Sequence, residues 1–163
     1  MNRLAKFVAC TGMAAVTASA AAAQSVVMQK TLSLGLAKTI AEATLAECKA
    51  KGFTTSAVVV DRAGQVLVML RDEAATAQTA EMARRKAFTA RMFRTSTLEF
   101  QKRTQDPTYA AQRDVADILA LGGGVPIQIG DEIIGGVGSS GSSQPQDDAC
   151  AKAGVAKVAA LLK

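Results

Sequence analysis

LGGGVPIQIGDEIIGGVGSSGSSQPQDD, Leu121 to Asp148, holds most of the chain's 13 glycines and decides how the rest is read. Gly122-Gly123-Gly124 interrupts a helical pattern, and Val125 to Ile129 reads as a strand. Gly130-Asp131 reads as a two-residue hairpin turn, and Glu132 to Gly138 as the return strand. Ser139 to Ser143 is a small polar loop. Pro145 opens a last helix, where its missing N–H costs nothing. Such a hairpin lets a ligand or another segment approach the backbone, because glycine has no Cβ to forbid it. Glycine content alone fits a turn-rich hairpin with no ligand equally well.

Upstream, Thr55 to Val60 is a β-branched apolar run and predicts a strand covered on both faces. Asp61-Arg62-Ala63-Gly64 predicts a turn, with the Asp61 carboxylate accepting backbone N–H groups of that turn. Gln65 to Arg71 returns as a second strand. Leu32 to Lys51 reads as a helix with Leu32, Leu36, Ile40 and Cys48 on one stripe, Thr31 as N-cap and Gly52 as its end. Gln78 to Phe93 is a second long helix with a small-residue face at Ala80, Ala83, Ala87 and Ala90. Ser25 to Lys30 suggests a weak edge strand, Thr95 to Tyr109 an irregular stretch, and Gln112 to Leu121 a short helix. Pro145 to Leu162 is the last helix, with Asp147 and Asp148 complementing its dipole. Two hairpins separated by helices predict an antiparallel sheet with helices packed on it, an α+β sandwich.

The first 23 residues form a different unit. Arg3 and Lys6 precede the uncharged apolar run Phe7 to Ala18, and Ala21-Ala22-Ala23 satisfies a small-residue cleavage pattern. Met1 to Ala23 therefore reads as a secretory signal peptide, with a single domain over 24–163 in the periplasm or outside the cell. The run is too short and alanine-rich for a good membrane anchor, and no membrane partner is expected of the mature form. Cleavage removes Arg3 and Lys6 and no acid, lowering the net charge from +5 to +3. That mild charge, with 4% aromatics and no Trp, gives no footprint for nucleic acid. Cys48 and Cys150 remain, as a disulfide candidate or as two buried hydrophobes.

The chain has no His. That removes His-based triads and most zinc sites. Asp61, Asp72, Glu73, Asp147 and Asp148 sit at turns and helix starts, where local bonding accounts for them. The remaining candidate haem or soft-metal donors are Met69, Met82, Met92 and Tyr109. Arg84, Arg85, Lys86 and Arg91 make the second helix basic, which usually means a solvated face. Lys86, however, lies beside Ala83, Ala87 and Ala90 on or near the packed side.

Three stretches together resemble the GlcG/HbpS family of small haem-binding or haem-degrading proteins. They are VVVDRAGQVLVMLRDEA (Val58 to Ala74), ARRKAFTA (Ala83 to Ala90) and GGGVPIQIGDEIIGGVGSSGSSQPQDDACAKAG (Gly122 to Gly154). The resemblance implies a profilin-like sandwich that assembles into dimers or larger homo-oligomers. It implies haem as a cofactor, with slow haem breakdown and iron release in some members. Its ligand region would map to Arg71, Lys86, Thr89, Gly123, Gly124, Pro126 and Gly141. Lys86 and Arg71 could pair with propionates or another carboxylate, and Thr89 could offer an oxygen. The implied fold also places the first and last helices on one side of the sheet, which favours the Cys48–Cys150 pair. Two expectations follow for function: an exported haem-binding protein, or a non-catalytic module for a small organic acid. Both expect a pocket between the second long helix and the glycine hairpin. A buried Lys86 ammonium there should meet either Asp61 or a bound carboxylate.

Overall fold

A computed structural model of the chain describes residues 26–163, and the expected signal peptide lies outside them. Four antiparallel strands stand in the order β2-β1-β4-β3, with β1 at Ser56–Val60, β2 at Val66–Arg71, β3 at Gly124–Ile129 and β4 at Glu132–Ser140. Helices α1 (Leu34–Ala50) and α5 (Gln144–Lys157) cover one face, and α2 (Gln78–Phe93) covers the other. The expected α+β sandwich is the observed one.

Strand β1 explains its own sequence. All five residues are buried, because Ala57 and Val59 face the α1–α5 layer while Val58 and Val60 face Ala83 and Ala87 of α2. A strand with a helix layer on each face has no solvent side to alternate toward.

The alanines of α2 meet the glycines of β3 and β4. A Cβ at Gly136, Gly138 or Gly124 would fall inside the carbonyl oxygens of Ala87, Ala83 and Lys86 respectively. Helix and strand backbones therefore touch. Ala83, Ala87 and Ala90 are fully buried inside the protomer. The small-residue face expected on this helix is used in this intramolecular contact, with Ala80 only part buried.

Several local boundaries differ from the sequence expectation. Ser33, not Thr31, caps α1, accepting the Leu36 N–H at 3.2 Å. The helix ends in a Schellman motif: Phe53 N–H bonds the Cys48 carbonyl, and Gly52 N–H bonds that of Lys49. Val26 to Lys30 forms no strand, and Val26, Val27 and Met28 are exposed. The stretch expected to be irregular contains α3 (Thr97–Arg103) and the single turn α4 (Pro107–Ala110). Ser96 starts α3 by accepting the Glu99 N–H, the Ser-x-x-Glu signature of a helix start.

The helix expected over 112–121 is only a 3-10 turn at Ala111–Asp114. Beyond it, Asp117 turns left-handed at φ 66°, and the Leu119 N–H bonds the Thr89 hydroxyl instead of a helical carbonyl. The last helix stops at Lys157, followed by a 3-10 turn at Ala159–Leu161.

Candidate functional site

The carboxyl end of β4 feeds the loop that starts α5, and Lys86 reaches this junction from α2. Its ammonium donates to Asp147 Oδ2 at 2.8 Å, to the Ser139 carbonyl at 3.0 Å and to Ser140 Oγ at 3.3 Å. The other Asp147 oxygen accepts the Ser142 N–H at 3.1 Å and the Ser142 hydroxyl at 2.7 Å. Both side chains of the pair are 2% exposed. Burial pushes the Lys86 pKa below the ordinary lysine value, and the Asp147 charge and hydrogen bond pull it back up. An ammonium has three protons to give, and all three are committed.

The expected Lys86–Asp61 pair is not formed. Asp61 accepts the Ala63 and Gln65 N–H groups at 2.8 and 2.9 Å. That is its local turn role. Asp147 is the partner because β4 delivers the start of α5 directly beneath Lys86.

The glycines expected near a ligand pack on protein instead. A Cβ at Gly123, whose φ is 121°, would lie 2.5 Å from the Ser139 carbonyl and 3.0 Å from Lys86 Nζ. Gly124 donates to the Thr97 hydroxyl at 2.8 Å. Gly141, with φ 140°, lies against the Thr54 carbonyl and Thr55, and Pro126 sits on the edge strand β3. Thr89 donates to the Arg85 carbonyl and accepts the Leu119 N–H, both at 2.8 Å, so its hydroxyl is engaged. The expected pocket between α2 and the hairpin is closed, because glycine and alanine let the two backbones meet. This cluster clamps α2, β4 and α5 together.

A second tie lies nearby. Cys48 and Cys150 are joined by a disulfide with Cα atoms 5.5 Å apart, linking the end of α1 to the start of α5. Both are fully buried.

The open features lie elsewhere. Arg71 is on β2, exposed, with a guanidinium N–H bonded to the Ala75 carbonyl. On the same face of β2, Met69 pairs with Val58 and Arg71 with Ser56, so both point to the α2 side. Helix α2 covers this strand only in part, leaving Met69 45% and Val66 42% exposed. A shallow groove of about 520 Å³ runs between α1 and α5, lined by alanines with Glu47 and Lys157. A cleft of about 370 Å³ opens at the β1–β2 turn beside the end of α2. Among the described residues, no three His, Cys, Asp or Glu side chains could share a metal ion. No described helix is long and apolar enough to cross a membrane.

Compared with known proteins, residues 32–156 match the family described as haem degrading protein HbpS-like. The chain is 34% identical over 122 residues to an uncharacterized 15.0 kDa protein from the dhaT-dhaS intergenic region of Citrobacter freundii, covering 72% of this chain and 84% of that one. It resembles the crystal structure of a double mutant of HbpS from Streptomyces reticuli, with 31% identity and a TM-score of 0.78. That match covers 94% of this chain and 97% of the other. It also resembles the crystal structure of a PduOC:haem complex, with 25% identity and a TM-score of 0.71, over 78% of this chain and 95% of that one.

Proposed function

This chain belongs to the HbpS-like family, and on that premise we propose that it is an exported haem-binding protein that works as a homo-oligomer. The observation that carries the reading is the family match over residues 32–156, together with a haem complex among the similar folds.

The residues around Lys86 do not fit haem, because their polar atoms are committed and the backbones touch. The outer face of β2 does fit in chemistry. Met69 offers an exposed thioether, Val66 an apolar surface, and Arg71 a guanidinium suited to a propionate. Haem, when bound, supplies the iron for oxygen and redox chemistry. The chain's own residues bind and orient it, and a second subunit laid against β2 would exclude water from it.

Edge position favours that assembly. β2 is an edge strand whose sequence Val66 to Arg71 carries no charge before Arg71 and no proline. Such an edge invites another chain. Export follows the expectation for Met1 to Ala23, and the mature N-terminus would fall at or near Gln24.

Titration of the mature protein with haemin, followed by the Soret band, tests the reading. A saturable Soret band is expected, and Met69→Ala should abolish or shift it. Absence of a band with the wild type would sink the proposal. Slow haem breakdown, the finer activity, would show as Soret loss under oxygen and ascorbate with free iron trapped by a chelator.

A further inference from the structure

The cleft at the β1–β2 turn is lined by Gln29, Thr31, Asp61, Arg62, Ala63 and Arg91. Its walls are fixed. The side chain of Leu32 is buried and packs where a Cβ of Gly135 would lie, which anchors the segment carrying Gln29 and Thr31. Arg91 Nε donates to the Arg62 carbonyl at 2.7 Å, holding the end of α2 against the turn.

Basic groups outnumber acidic ones here, with Lys30, Arg62, Arg91 and Arg94 set against Asp61 and Glu132. Arg62 is bonded to Glu132 at 2.8 Å, and Lys30 stands 3.9 Å from the same carboxylate. Asp61 spends one oxygen on two turn N–H groups. The terminal nitrogens of Arg91 make no hydrogen bond within the described residues, and Arg94 adds a further like charge. Burial, then Arg62 and Arg94, push the Arg91 pKa below the ordinary arginine value, with only Asp61 opposing them. Crowded guanidinium groups repel, and a bound anion would relieve that repulsion.

We propose that this cleft binds a small organic carboxylate, gripped by the free fork of Arg91 with Arg62 beside it. The planar fork matches the two oxygens of a carboxylate. Gln29 and Thr31 add an amide and a hydroxyl for the remainder of the ligand. At about 370 Å³ the cleft suits a small acid rather than a macrocycle. The site is separate from the β2 face and does not depend on haem binding.

Malonate titrated into the intact mature protein, read by calorimetry and by amide chemical shifts, tests this. Saturable binding is expected, with shifts at Gln29, Thr31, Ala63 and Arg91. Arg91→Gln and Arg62→Gln should each weaken binding by about tenfold or more, while Lys102→Gln, an exposed residue of α3, should leave it unchanged. Inorganic phosphate should bind more weakly than malonate. No saturable binding, shifts elsewhere, tighter phosphate binding, or equal affinity in a folded Arg91→Gln and the wild type would each overturn the proposal.

Discussion

Lys86 and Asp61 show what one side chain can be asked to carry. Removing the Lys86 charge leaves Asp147 buried with only Ser142 to satisfy it. Lys86→Met should therefore cost about 3–5 kcal/mol in urea unfolding. Asp61→Ala removes two turn hydrogen bonds at a partly exposed position. It should cost about 1–2 kcal/mol. Equal losses would contradict the assignment of Asp147 as the partner. Other carboxylates set the acid limit. The Ala74 N–H and the Lys49 ammonium hold Asp72 below the ordinary range, Arg84 does the same for Glu81, and the Thr108 N–H for Asp106. In each the folded pKa is the lower one, so the unfolded chain binds more protons. The stabilisation is complete above the unfolded value of about 4 and is lost as pH falls through the folded values. The melting temperature should be nearly flat from pH 7 to about 5 and drop below about 4. A melting temperature that holds down to pH 2 would show that these bonds contribute nothing.

At the scale of elements, the α2–β4 contact is the least tolerant. Gly138→Ala drives a methyl into the Ala83 carbonyl, and two packed backbones must separate to admit it. We expect a loss of about 1–3 kcal/mol or more, whereas Gly35→Ala, in open space on α1, should be neutral or stabilising. The two variants differ by one methyl each, so a melting-temperature comparison isolates the packing. Removing the disulfide with Cys48→Ala and Cys150→Ala frees a loop of 102 residues and should cost about 4–5 kcal/mol in the chain-entropy model. These elements were legible to different degrees. Thr55–Val60 and the alanines of α2 read correctly because burial on both faces and close packing leave a compositional trace. The Lys86 partner did not, since Asp147 is 61 positions away and only the sheet order joins them. The segment over 112–121 misled because Thr89 and Arg85 capture its backbone groups from outside. The Arg62–Arg91 cleft left no local pattern, as it forms where a turn meets a helix end.

For the whole molecule, the two sheet edges differ. Both edge strands carry a register shift against their neighbour, and β3 adds Pro126, which discourages a further strand. β2 has neither proline nor an early charge, and its apolar residues are part exposed on both faces. Antiparallel pairing of β2 with its copy would set Arg71 of one protomer near Val66 of the other and bring Met69 of both into one seam. Light scattering of the mature protein at micromolar concentration should give a dimer or larger species. Met69→Lys places a charge in that seam and should shift it toward monomer. Met69 is also the proposed haem donor, so the two roles must be separated. Met69→Leu keeps the apolar volume and removes only the sulfur, and should retain the oligomer while losing or altering the Soret band. If Met69→Leu dissociates the assembly, the seam rather than the sulfur explains the exposure of Met69. If Met69→Lys leaves the mass unchanged, β2 is not the interface. A wild type of monomer mass would remove the assembly, and with it the second subunit expected to close the haem face.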